Sequence, residues 1–141
     1  MEIKTCKFRA ILRKEAYTNH IYKRKQDMTE PRYFFLEDLI RGVYIFSYPE
    51  HWHFSRWTGE LDKNKVEIYE DDIMTFSDAE DIIMEMNGVT KAVVFERGSF
   101  RIKCHEYFAK VLDTETACEG KVVGNTFNNS ELLNQYLPKE K

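Results

Sequence analysis

Thr58-Gly59-Glu60-Leu61-Asp62-Lys63-Asn64-Lys65-Val66-Glu67-Ile68-Tyr69-Glu70-Asp71-Asp72-Ile73 is the stretch whose reading decides the fold. Its first half is polar and rich in bend formers. Gly59 permits a tight change of direction, and Asp62 and Asn64 can bond back to the backbone of their own turn. Its second half, from Val66, is β-branched and aromatic, the composition of a strand. The pattern predicts a turn over 62–65 between two strands, with Asn64 the best non-glycine candidate for a left-handed conformation. The strand after the turn is expected to continue through Ile73, Met74 and Phe76. Glu70, Asp71 and Asp72 then alternate faces, so only Glu70 and Asp72 converge. Ile68 and Ile73 supply core, and Tyr69 packs its ring while keeping its hydroxyl wet.

The same two-residue alternation recurs on the N-terminal side. Trp52, Phe54 and Arg56 share one strand face, and His51, His53, Ser55 and Trp57 the other. Val43-Tyr44-Ile45-Phe46 reads as a strand broken by Pro49. Residues 33–41 predict a short helix, with Phe35, Leu36, Leu39 and Ile40 at helical spacing and Gly42 placed to end it. Residues 14–32 lose all period. They read as an exposed loop or hairpin arm with a basic tip, Lys23, Arg24 and Lys25, beside Tyr17, His20 and Tyr22. Cys6, Phe8, Ala10 and Leu12 alternate with Lys7, Arg9, Ile11 and Arg13, which predicts a half-buried strand over 6–12.

On the C-terminal side, Ser77-Asp78-Ala79-Glu80 has capping-box spacing, yet Ile82, Met84 and Met86 alternate. The segment 78–87 therefore reads both as a short helix and as a strand, and Asn87-Gly88 marks a turn after it. Lys91 to Phe95 and Phe100 to Cys104 form a hairpin around Arg97-Gly98-Ser99. Val111 and Leu112 suggest the start of a strand, and Lys121 to Gly124 a last one. Asn129 or Ser130 can cap a helix, with Glu131 in its first turn, and the tail from Pro138 is charged.

The chain has 141 residues, a usual length for one domain, and 1–141 shows no linker, repeat or low-complexity tract. Hydrophobic residues make up 43% and aromatics 14%, enough for a core and unlike a disordered chain. The formal charge of −3 gives no global field for nucleic acid or membrane. Cys6, Cys104 and Cys118 make no C-x-x-C pair, so three buried thiols in a reducing compartment are expected. The N-terminal residues lack the apolar run of a secretory signal, and no window approaches a membrane span. A cytoplasmic location is expected.

Chemistry is sparse in this sequence. It contains no G-x-x-x-x-G-K-[ST], G-x-G-x-x-G or G-x-S-x-G motif. His51 and His53 would share a strand face, and Cys104-His105 could add ligands, but the spacing matches no compact zinc motif. Glu67, Glu70, Asp71 and Asp72 are acidic without a nearby nucleophile or phosphate loop. No metal, cofactor or enzyme activity is predicted.

Four blocks resemble the YopX-like family of phage and prophage proteins. The stretch 58–73 is similar to its central signature, approximately T-G-L-x-D-K-N-G-K-E-I-Y-E-G-D-I-V. Lys7-Phe8-Arg9-Ala10 resembles its opening K-F-R-A-W. Val93 to Phe100 resembles its V-x-Y-x-D-G-x-F hairpin. Val123-Gly124-Asn125 through Leu133 resembles its closing V-I-G-N-I-Y-E-N-P-E-L-L. The resemblance implies a bacterial host cell and a mainly β, β-rich α+β fold. It further implies a small SH3-like barrel-type sheet core with one or two short helices. It implies no activity. Lys65 and Asp71 stand where the signature has glycine. The turn must therefore be widened, or Lys65 sits at positive φ. Leu61 is displaced by one position, which hints at a bulge.

The expected function is a non-enzymatic accessory module that binds a protein partner or forms a homo-oligomer, motivated by the excess of aromatics. The alternative is a nucleic-acid-binding SH3-like barrel. Lys7, Arg9, Arg13, Lys14, Lys23, Arg24 and Lys25 would touch phosphates and Tyr22 would stack. The candidate binding residues are Tyr22, Lys23, Arg24, Lys25, Asp62, Asn64 and Tyr69.

Overall fold

Alternating apolar residues and polar bends yield a mainly β chain, as predicted. The structure, a computed structural model, describes residues 7–17, 30–35, 38, 49–76, 90–105 and 108–133. The strands are β1 (Lys7–Leu12), β2 (Arg32–Phe35), β3 (Trp52–Leu61), β4 (Glu67–Tyr69) and β5 (Asp72–Thr75), then β6 (Lys91–Glu96), β7 (Ser99–His105), β8 (Phe108–Val111) and β9 (Lys121–Asn125). An α-helix, α1 (Thr114–Glu119), precedes β9. Two sheets form, in the orders β2-β1-β3-β4 and β8-β7-β6-β5-β9, and no barrel closes among the described residues. The chain divides into two compact units, Met1–Trp57 and Thr58–Lys141, with β3 running across the division.

In the first unit β1 lies between β2 and β3, antiparallel to both. Phe8 stacks on Phe34 at 5.8 Å and meets Phe54 edge-on at 6.0 Å. Ala10, Leu12, Ala16 and Trp52 form the core beside them. The predicted solvated face of β1 is not solvated: Arg9 is 4% exposed and Ile11 is also buried. β1 is an inner strand covered on both faces at these positions, so alternation marked its faces but not their exposure.

The helix predicted over 33–41 is corrected in part. Arg32–Phe35 is a strand paired with β1, Phe34 opposite Phe8. An aromatic cross-strand pair and a shared hydrogen-bond ladder outweigh a local helical spacing. The Phe35 amide then donates to the Asp38 carboxylate at 2.9 Å. Asp38 is helical, as predicted; residues 36–37 and 39–41 of that prediction, the strand at 43–46, the segment 78–87, Asn87-Gly88, Cys6 and the tail from Pro138 lie outside the described residues.

In the second unit the predicted hairpin forms between β6 and β7, with Glu96 opposite Ser99. Arg97 (φ 52°) and Gly98 (φ 80°) both take left-handed backbone. That is the type I′ geometry, whose twist matches the flanking strands. Ile68, Met74, Phe76, Val93, Ile102, Leu112 and Ala117 make the core. Burial of each large aliphatic or aromatic side chain contributes about 1.5–3 kcal/mol.

Three further predictions need correction here. The strand expected from Val66 through Phe76 is split by a turn at Glu70-Asp71. The strand expected to begin at Val111 ends there: Leu112 enters the core, and Asp113 starts a helix as its N-cap. Helix α1 follows unpredicted. Its signal was present: Asp113 accepts the Thr116 amide at 2.7 Å as an N-cap, and Gly120 follows the last turn. At the C-terminal end the predicted helix start is a single 3-10 turn, Ser130–Leu132, after Asn129. The Asn129 side chain makes no cap there, because it bonds to Asn125 instead.

Candidate functional site

The signature turn is organised by one buried carboxylate. Asp62 is 1% exposed. Its Oδ1 accepts the Asn64 amide at 2.8 Å and the Val66 amide at 2.9 Å. Its Oδ2 accepts the Val122 amide of β9 at 2.9 Å. Its own amide donates to the Val66 carbonyl, and its carbonyl accepts from Lys65. A carboxylate is an acceptor-only group, so three amides satisfy most of what burial would otherwise leave unmet. Lys65, not Asn64, takes the left-handed conformation, with φ 66°. The Asn64 amide is held by Asp62 inside the turn, and the reversal falls one residue later.

At the acidic end of the signature the Asp72 carboxylate also bonds to backbone. Asp72 is buried, and its Oδ2 accepts the Tyr69 amide at 2.8 Å. Asp71 sits at φ 73°. There its amide donates to the Val93 carbonyl at 2.8 Å and its carbonyl accepts from Thr126 at 2.9 Å. Tyr69 is 2% exposed, and its hydroxyl is buried rather than wet, contrary to the sequence expectation.

A second side-chain knot follows β9. Asn125 Oδ1 accepts the amides of Phe127 and Asn128 at 3.0 and 2.9 Å. The Asn125 amide donates to Asn129 Oδ1 at 3.2 Å, and the Asn129 amide returns to the Asn125 carbonyl at 2.9 Å. The sequence pointed to Asn129 as a helix cap. Its pairing with Asn125 was the residue role missed, although two asparagines at i and i+4 around a turn are its signal.

Of the candidate binding residues, the structure brings Asp62, Asn64 and Tyr69 into the second unit, with only Asn64 exposed. Tyr22, Lys23, Arg24 and Lys25 lie outside the described residues. Among the phosphate-contact candidates, Arg9 is buried. Lys7 Nζ rests 4.8 Å from the Trp57 ring centroid and 5.6 Å from that of Phe35. Arg13 Nε donates to the Trp52 carbonyl at 3.3 Å, and Lys14 is exposed.

The shared strand face predicted for His51 and His53 does not form. His51 closes a 3-10 turn, Pro49–His51, and only His53 is in β3. His51 Nε2 lies 3.8 Å from Glu50 Oε1. Among the described residues no three histidine, cysteine or acidic groups come together as metal ligands. Cys104 and His105 end β7, their side chains outside the described part. Cys118 corrects the expectation of three buried thiols: it is exposed on α1, and its thiol donates to the Glu115 carbonyl. No helix among the described residues is long and apolar enough to cross a membrane.

Two antiparallel sheets and a signature whose aspartates clamp backbone amides define a β-rich protein with a built-in turn scaffold. Residues 5–134 match the YopX protein family, and the chain belongs to it. The crystal structure of protein EF1440 from Enterococcus faecalis is similar over 73% of this chain at 25% identity, with a TM-score of 0.46. The match spans 65% of that protein's length. No curated protein matches the chain.

Proposed function

We propose that this chain is a non-enzymatic accessory protein of a phage or prophage, acting in the bacterial cytoplasm by binding a second copy of itself or another protein. Phe95 supports this reading most directly. It shares the face of β6 that carries core residue Val93, yet it is 39% exposed, with its ring edge-on to Phe100 at 5.1 Å. An apolar face that runs past its own core favours a protein contact. The signature carboxylates Asp62 and Asp72 accept backbone amides, and a structural role for them fits this reading. Light scattering over a concentration series tests the proposal. The expected result is a mass above the monomer that Phe95→Glu reduces without lowering the melting temperature. A strict monomer at every soluble concentration, joined by no phage or host protein in a defined pair, counts against it.

A nucleic-acid role is the second reading, supported by Lys7 between the rings of Phe35 and Trp57. Labelled single and double strands at low salt are its test. Absence of a shift there removes it.

A further inference from the structure

Charge is unevenly shared along this chain. The first unit, Met1–Trp57, carries 11 Lys and Arg against 7 Asp and Glu, whereas Thr58–Lys141 carries 10 against 17. Their formal charges are therefore +4 and −7. That asymmetry suits the first unit, and not the second, to an anionic ligand. One face of the first unit's sheet is taken up by the core of Ala10, Leu12 and Trp52 with Phe34 and Phe54.

The opposite face sets rings and cations in rows across the strands. Phe35 of β2 lies opposite Lys7 of β1, and continuing the β1–β3 register brings Trp57 to the other side of Lys7. The Lys7 ammonium stands 4.8 Å from the Trp57 ring centroid and 5.6 Å from that of Phe35. In the next row Arg9 lies between Tyr33 and Ser55. The face is closed toward Ser55 and Ile11, which are 0% and 3% exposed. It is open along β2 and the Lys7 row: Tyr33 is 59% exposed, and Lys7, Phe35 and Trp57 are partly so.

We infer that this open face of β2-β1-β3 binds single-stranded nucleic acid, with bases stacking on Tyr33, Phe35 and Trp57 and Lys7 meeting a phosphate. The inference rests on the nucleic-acid reading above and gives it a site and a substrate class. A base offers its flat π-face only outside a duplex, so rings displayed on a sheet select single strands. The spacing agrees. Tyr33 and Phe35 are two residues apart on β2, about 7 Å, roughly twice the rise of stacked bases along one strand. Rings set that far apart take bases that have left their stack. A nucleic-acid strand alternates rings with negative charge, as this face alternates rings with cations, and a purely apolar partner does not. The whole chain, at −3, exerts little long-range pull, so stacking carries most of the affinity.

Tryptophan emission reads this face directly. The chain has two tryptophans, and Trp52 is 1% exposed in the core, so quenching by a bound strand reports on Trp57. An oligothymidylate of about 16 nucleotides is expected to quench that emission and to bind at least about tenfold tighter than a duplex of the same length. Tyr33→Ala, at an exposed position, should weaken strand binding by about tenfold without changing the melting temperature. Lys7→Gln should reduce the slope of log affinity against log salt by about 0.7, the loss of one phosphate contact. Strand binding without quenching, a folded Tyr33→Ala with wild-type affinity, or tighter binding of duplex overturns the inference and leaves the broader nucleic-acid reading standing. Thymidine monophosphate binding as tightly as the strand overturns it as well. Absence of binding by either form at low salt overturns both.

Discussion

The Asp62 carboxylate accepts the Val122 amide at 2.9 Å across 60 residues of sequence. Its other oxygen closes the turn that contains it, through Asn64 and Val66. One side chain thus shapes a local loop and fixes that loop to the last strand. This double duty gives a structural reason for the acid's burial.

Removing that acid should be severe. Asp62→Ala leaves three amides without their acceptor at a site that is 1% exposed. A loss of about 3 kcal/mol or more is expected, measured by urea unfolding. Asp62→Asn keeps the shape but turns an NH2 group toward an amide donor, and about 2 kcal/mol is expected. An Asp62→Ala midpoint within error of wild type would refute the clamp.

Lys65 should be improvable. It is exposed and sits at φ 66°, a conformation that costs a side-chain-bearing residue about 1–2 kcal/mol. Lys65→Gly removes that cost and returns part of it as unfolded-state entropy. A net gain of about 0.5–1 kcal/mol is expected, while Lys65→Val should lose stability. Thermal melts of the two variants should move in opposite directions.

Gly120 is needed for packing rather than for backbone freedom, since its φ is −104°. A Cβ there would lie 2.5 Å from Phe76 Cε1 and 2.9 Å from Met74 Cε. Both neighbours belong to the core, so neither can retreat cheaply. Gly120→Ala should cost about 1–3 kcal/mol by overpacking. Met74→Ala in the same chain should relieve part of that clash, which a double-mutant cycle would read as coupling.

Asp113 gives a pH signature. The amide and hydroxyl of Thr116 donate to its carboxylate and hold its pKa below the ordinary 3.8, with Lys110 adding a smaller pull in the same direction. A depressed folded pKa stabilises above the unfolded value, and that contribution is lost as pH falls through the folded one. The stability gap between wild type and Asp113→Ala should therefore be level from neutral pH to about pH 5 and shrink below about pH 4. A gap that widens on acidification would contradict this assignment.

Much of the fold was legible because strands write themselves in pairs. The hairpin at Arg97-Gly98, β9 from Lys121 and the turn at 62–65 all stand where alternation and bend formers placed them. The site was less legible. Asp62 and Asn64 look alike as turn residues, yet one is buried and clamps β9 while the other is exposed. Arg9 looked like a solvated cation and is buried. Tyr33 and Phe35 had helical company in sequence and became strand because β1 offered a ladder.

The sequence by itself determined where this chain bends and which residue types prefer extended backbone, since both depend on φ, ψ and side-chain sterics within a few residues. Only the tertiary structure decided which faces are covered, that Val123 is an extra residue against β5, and that Asp62 holds the Val122 amide. Those outcomes depend on partners many residues away, and a hydrogen bond across such a separation leaves no periodic trace in the order of amino acids.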